Sequence, residues 1–312
     1  MMRCFKDVFK IIKGSCLLLT MGTTALYAQQ EAQFSHYMFN TQAVNPAYVG
    51  SRGTWSAFTS YRKQWQQFSG APETAVLAFQ VPVPEKSMGL GGVFMQDQLG
   101  PTRFTQVNLQ YAYIIRWGQH QKLAFGLQAG WQQFQFDRAK VSPETTADPT
   151  LENLVPSARF GSGLGVYWHN QKGYAGFSIP SVIEQQWAPS SDWVLYQQAR
   201  TYYFITGWTV PINDKWMLKP ALLLKTQSNW NVSTDLAMQV WWQDRFTAGL
   251  NIRLNTAYSV MGGFKIWDSW LVGYAYDRET TSLKSYNTGS HEIFLRYEWK
   301  PQNKGVVSPR YF

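Results

Sequence analysis

Cysteine is nearly absent from this chain. There are two, Cys4 and Cys16, and both fall within the first 28 residues. If that segment is removed, no thiol remains for a disulfide, a metal or a nucleophile, which suits an oxidising compartment. Charge is scarce as well, at 15% of the sequence against roughly 25% in soluble proteins. Beyond residue 28 no run reaches the ~18 consecutive apolar residues of a membrane helix, which excludes a helical membrane protein. The net charge of +9 includes +3 from the first 28 residues (four bases minus Asp7), and the remaining +6 is spread thinly. No run of Lys and Arg marks a nucleic-acid surface, so no nucleic-acid partner is expected.

Catalytic and metal-binding constellations are missing too. The four histidines, His36, His120, His169 and His291, fall in the N-terminal segment, two short turns and the last strand. No pair has metal-ligand spacing. His291 and Glu292 are neighbours on a strand and face opposite sides, so they do not share a substrate. No Gly-x-Ser-x-Gly elbow or Ser/His/Asp set emerges. Glu144, Asp148 and Glu152 share the 137–158 loop, and a solvated loop explains them better than a cation site. The expectation is a protein that is not an enzyme and holds no cofactor or metal.

What the chain has is aromatics, at 16%, and a repeated alternation. In Thr105–Tyr113 the odd positions are Thr105, Val107, Leu109, Tyr111 and Tyr113, and the even ones are Gln106, Asn108, Gln110 and Ala112. The next stretch repeats the pattern, with Leu123, Phe125, Leu127, Ala129 and Trp131 against Ala124, Gly126, Gln128 and Gly130. Successive side chains on a strand point to opposite faces, so each stretch has one greasy face and one small or polar face. A soluble sandwich could produce that. Strand length, strand number and the leading segment favour an outer-membrane β-barrel.

That leading segment, 1–28, has the layout of a secretory signal peptide. Arg3, Lys6, Lys10 and Lys13 precede an apolar stretch around Cys16–Leu19, and Ala28 offers a cleavage site despite the large Leu26. An uncleaved anchor would need ~20 apolar residues, and Lys13 stands where a lipobox wants Leu. The remaining 284 residues (312 − 28) suffice for one barrel or two small soluble domains.

Fourteen strands are expected, near 54–62, 73–82, 88–97, 103–116, 122–136, 158–169, 173–180, 200–211, 216–226, 231–242, 245–255, 257–266, 270–277 and 289–299. Short connections alternate with a set containing the three long ones, 137–158, 181–199 and 277–289. Short turns at the periplasmic end and long loops outside are the pattern of a bacterial barrel. Trp117, Trp168, Trp208, Trp216, Trp242, Trp267, Trp270 and Trp299 then gather at the periplasmic end, as an interfacial belt would. The fold class is all-β: a transmembrane antiparallel meander barrel of about fourteen strands over 54–299, with an N-terminal non-barrel segment.

The inward face should be rich in Gly126, Gln128, Gly130, Gly161, Gly163, Gly165, Gly249 and Gly273, with sparse charges at Lys219, Asp235, Arg253, Asp277, Glu292 and Arg296 that pair across the lumen. The Gly161-x-Gly163-x-Gly165 run continues the strand alternation and reads as close packing rather than a phosphate loop. A barrel of this size leaves a lumen that leaks unless filled. Segment 29–53, aromatic, amide-rich and without alternation, is the expected plug, inside the lumen or across its periplasmic mouth. A tail, 300–312, follows the last strand.

An ordered set of motifs resembles a known family. Gln33-Phe34-Ser35-His36-Tyr37-Met38-Phe39-Asn40 and Asn45-Pro46-Ala47-Tyr48-Val49-Gly50-Ser51 resemble the opening of the PorP/SprF family of type IX secretion system outer-membrane proteins of Bacteroidota. Tyr61-Arg62-Lys63-Gln64-Trp65 with Gly70-Ala71-Pro72 is similar to its first external loop. Met88-Gly89-Leu90-Gly91, Asp97–Thr102, Gly273–Asp277 and Gly289–Glu292 continue the resemblance in order, and Ser308–Phe312 is similar to a family ending. The resemblance implies an outer-membrane protein without enzymatic activity, set in lipid. Its implied partners are periplasmic ring components and secreted cargo with a C-terminal secretion domain, such as gliding adhesins. No binding residue transfers with it. The candidate partner contacts are Trp65 and Phe68 beside the Gly70-Ala71-Pro72 turn, with self-packing of that loop favoured over binding, and Tyr311 and Phe312 in the tail. The alternative is a channel or porin for small solutes, for which a charged constriction would be the mark.

Overall fold

The structure, a computed structural model, describes residues 32–118, 120–140, 157–187, 196–227 and 231–299. The 1–28 leader, Glu144, Asp148, Glu152 and the 300–312 tail with Tyr311 and Phe312 lie outside the described residues. Fourteen antiparallel strands form the wall among those that are described. They are β1 (Ser56–Lys63), β2 (Glu73–Val83), β3 (Met88–Leu99), β4 (Thr102–Trp117), β5 (Gln121–Phe136), β6 (Ser157–His169) and β7 (Gly173–Ile179). The second half comprises β8 (Thr201–Trp208), β9 (Trp216–Gln227), β10 (Val232–Trp242), β11 (Phe246–Arg253), β12 (Ala257–Ile266), β13 (Trp270–Glu279) and β14 (Ser290–Glu298). Each strand pairs with its successor, and β14 returns to β1 with Ser56 opposite Glu298 and Lys63 opposite His291. The sheet closes, so no edge is left to face lipid.

The alternation read from the sequence is the alternation of burial. On β4, Gln106, Asn108, Gln110 and Ala112 are buried, while Val107, Leu109, Tyr111 and Tyr113 are exposed. Leu109 is 68% exposed and Leu127 62%. In water that surface would be a large liability; in a membrane it is the lipid-facing band. Among the described residues no helix is long and apolar enough to cross a membrane, which leaves the strands to do so.

Turn chemistry fixes the short end. Gln243 and Asp244, between β10 and β11, both have positive φ (49° and 54°), the I′ geometry whose twist matches that of the flanking strands. The eight tryptophans of the expected belt lie at this end, with Trp117, Trp208, Trp267 and Trp299 at 66%, 50%, 80% and 60% exposure.

Three departures from the expected strands have local causes. The first strand begins at Ser56, because the Thr54 hydroxyl is turned to donate to the Trp299 carbonyl. The eighth breaks at Thr209, whose N–H goes to the Lys172 carbonyl at 2.6 Å, before Val210–Pro211 resumes it. The β7–β8 loop contains a small hairpin, Gln185–Trp187 with Tyr196–Gln198. It carries Trp187 into an aromatic cluster with Phe104 and Phe134.

Segment 32–54 stands apart from the wall. Its short helices, Thr41–Val44 and Pro46–Tyr48, are packed among the inward side chains. Tyr37, Val44, Ala47 and Tyr48 cluster with Tyr167, Tyr174, Tyr203 and Ile205 of the wall. Phe39 joins Phe58, Trp241, Leu271 and Phe294. This is where the molecule keeps its core. Two wall glycines make room for it: a Cβ at Gly126 would overlap the Ala47 backbone, and one at Gly165 would meet the Asn45 side chain.

Candidate functional site

Strand parity brings Arg62 of β1, Asp277 of β13 and Glu292 of β14 to one patch of the inner wall. Arg62 and Glu292 face each other in register, and Asp277 lies diagonally beside them. All three are 3% exposed or less. Arg62 Nη1 lies 2.5 Å from Asp277 Oδ2 and 3.2 Å from Glu292 Oε2. The segment completes the cluster. Ser35 N–H donates to Glu292 Oε2 at 2.7 Å, the Ser35 hydroxyl donates to Asp277 Oδ2 at 2.5 Å, and His36 Nδ1 is 3.4 Å from Glu292 Oε1. The His36 ring packs edge-on against Phe294 at 4.6 Å.

Two more ionic contacts tie the segment to the second half of the wall. Arg253 Nε donates to Asp235 Oδ1 at 2.8 Å, and its Nη1 donates to Gln33 Oε1, also at 2.8 Å. Arg52 pairs with Glu298 and donates to the Tyr48 hydroxyl at 2.9 Å. Burial alone would favour the neutral guanidine, but Glu298 and Tyr48 more than offset that, so the Arg52 pKa stays above its ordinary value.

On the other side the contacts are amides. Gln42 Nε2 donates to the Phe79 carbonyl at 2.8 Å and to Gln110 Oε1 at 3.0 Å. Gln110 Nε2 donates to Gln128 Oε1 at 2.8 Å, and Gln128 Nε2 to the Pro180 carbonyl at 2.6 Å. Asn45 Nδ2 donates to the Val166 carbonyl at 3.0 Å, and the Ser178 hydroxyl to the Val44 carbonyl at 2.6 Å. These bonds run from the segment to β2, β4, β6 and β7, and on through Gln110 to β5.

The six charges expected to face inward are placed there by their strand parity, five of them buried and Lys219 half-buried. Their pairing corrects the expectation. They do not reach across the lumen, because Asp235 and Arg253 are register partners on adjacent strands and Asp277 and Glu292 share Arg62. Contact across the lumen is made by the segment. Nor is the interior weakly charged throughout: Gly and Gln dominate one side and ions the other. Arg62, Ser35, His36 and Arg52 were missed as functional residues. Arg62 was legible, since Phe58, Ser60 and Arg62 share the inward parity of β1, next to the acids of β13 and β14.

The expected contact residues Trp65 and Phe68 come together at the outer rim, their rings perpendicular at 6.3 Å. Trp65 is partly buried. Its indole N–H donates to Glu279 Oε1 at 3.1 Å, and the neighbouring Gln66 exchanges backbone bonds with Gly289 (2.8 Å) and Thr288 (3.2 Å). Phe68 remains 50% exposed. Self-packing thus accounts for Trp65 and leaves Phe68 outside. His291 sits on the outer face with Nδ1 2.5 Å from the Tyr274 hydroxyl, opposite to Glu292. His169 is the buried last residue of β6 rather than part of a turn.

A family described as "Type IX secretion system membrane protein PorP/SprF" matches residues 26–297. No curated protein sequence matches the chain. Among solved structures, a Pseudomonas aeruginosa FadL homologue aligns over 83% of this chain and 94% of its own, at 10% identity and a TM-score of 0.47. The KdgM porin aligns over 78% and 99% at 8% identity and a TM-score of 0.38. The NanC porin aligns over 79% and 100% at 11% identity and a TM-score of 0.40.

Proposed function

This chain belongs to the PorP/SprF family of type IX secretion system membrane proteins, and we propose that it serves that system as a plugged, non-enzymatic outer-membrane barrel that binds other proteins. On this reading the leader 1–28 is cleaved on export, the short turns face the periplasmic ring components, and the long loops face secreted cargo with a C-terminal secretion domain. The observation that carries the reading is the filled lumen. Segment 32–54 is bonded to both sides of the inner wall and shares its two main apolar clusters. A solute pore needs a wetted path, whereas a barrel packed in this way offers its rims. At the outer rim, Trp65 braces the loop and Phe68 presents an apolar anchor of the kind that binding sites use.

The test is an affinity pull-down of the tagged protein from detergent-solubilised native membranes, read by mass spectrometry. Ring components or a large surface protein with a C-terminal secretion domain should be recovered. Trp65→Ala with Phe68→Ala should leave the barrel folded and lose the cargo while keeping the ring components. A folded barrel with neither class of partner, from an extraction that keeps a known machine intact, would transfer the assignment to a channel for small solutes.

A further inference from the structure

At the end that carries the short turns, a cavity opens between the segment and the wall. Phe39 and Arg52 line it from the segment, and Lys219, Trp241, Lys265 and Arg296 from the wall. Four cations thus face one space, and the acids there, Glu298 and Asp268 in the lining and Asp244 on Lys265, number one fewer. Glu298 serves Arg52 and lies 3.4 Å from Arg296 Nε, and Asp244 serves Lys265 at 2.5 Å. Lys219 makes no ion pair with any described residue. Its ammonium lies 4.2 Å from the centroid of the Trp241 ring, with Lys265 5.5 Å from the same centroid. Arg296 is 6% exposed, and its Nη1 and Nε have no hydrogen-bond partner among the described residues.

A buried guanidinium with idle donors is costly unless something accepts from it. A second cation held on an aromatic face beside it raises the cost, because like charges repel most strongly where water is thin. Both penalties disappear when one oxyanion enters. Its oxygens would accept from the planar fork of Arg296 and from the Lys219 ammonium, in charge-assisted bonds.

We propose that this cavity is an oxyanion-binding site, taking a carboxylate or phosphate group between Lys219 and Arg296. The group comes from an acidic side chain of another protein or from a free or headgroup phosphate. Because Phe39 and Arg52 form one side of the cavity, a bound anion also joins the segment to the wall at its open end.

The test is calorimetric titration of the full chain in detergent micelles at low ionic strength. The two probes are inorganic phosphate and a tetraglutamate peptide with both termini blocked. Saturable binding is expected, weakened about tenfold or more by Lys219→Gln, the loss of one charged contact. That substitution strands no carboxylate and should leave the fold intact. Arg296→Lys, which keeps the charge but removes the fork, is the second variant and should weaken phosphate more than Lys172→Gln, an exposed-turn control that changes nothing. Binding of the peptide alone supports a protein carboxylate as the source, and binding of phosphate alone a free or headgroup anion. Binding of neither, or affinity indifferent to Lys219→Gln, overturns the proposal.

Discussion

The two sides of the lumen hold the same segment by different physics. From β2 to β7 the wall offers glycines, glutamines and carbonyls, and the segment lies against them through neutral hydrogen bonds such as Gln42 to Gln110. From β10 round to β1 it offers Asp235, Arg253, Asp277, Glu292, Glu298 and Arg62, and the segment answers with Gln33, Ser35, His36 and Arg52. Neutral bonds depend on close approach, so that side needs glycines. Ionic contacts tolerate distance better but punish the loss of a partner, because a charge left alone in a packed interior is poorly solvated. The amide side sets where the segment sits, and the ionic side resists its removal.

Breaking the ionic side should have the largest effect. Arg62→Met leaves Asp277 and Glu292 buried without their cation, at a cost of about 3–5 kcal/mol. The heat-modified gel shift of the purified barrel should move to a clearly lower temperature. A shift no larger than that of a surface substitution would mean that water already solvates the cluster.

On the amide side, Gly126→Leu places a side chain where the Ala47 backbone runs. Overpacking of this kind costs about 1–3 kcal/mol, and here the wall is closed while the segment can leave. The variant should therefore insert normally and conduct in a planar bilayer where the parent is silent. Equal conductance in the two proteins would remove the plug from the account.

Gln110→Ala sharpens the contrast further. Gln42 keeps the Phe79 carbonyl as an acceptor, but Gln128 Oε1 and the Gln42 carbonyl lose their donor, so the loss should be about 1–3 kcal/mol. Chemical denaturation of folded barrels in lipid would resolve it from Arg62→Met. Outside the lumen, Lys63 and Glu73 pair at 2.9 Å but are 48% and 37% exposed. Lys63→Ala should cost about 0–1 kcal/mol and serves as the baseline for the series.

Much of the barrel is legible in the sequence. The β4 alternation, the tryptophan end and the division of turns into short and long all follow from neighbours in the chain. The inward acids Asp277 and Glu292 were readable for the same reason, as the parity of a strand assigns each side chain a face. Arg62 needed one further step, the adjacency of first and last strands in a closed barrel. Ser35, His36 and Arg52 were beyond parity, because their segment has neither strand nor helix period to project from.

The sequence by itself therefore determined the wall: its strands, their faces, their turns and the lipid-facing band. Side-chain direction on a strand is a local property with a period of two, which survives whatever the strand packs against. Only the tertiary structure decided what fills the lumen and how. Ser35 meets Asp277 and Glu292 across 242 and 257 residues of chain, and Gln42 meets Gln110 only because the wall brings both to one place. Such contacts depend on closure of the sheet, and closure is a property of all fourteen strands together.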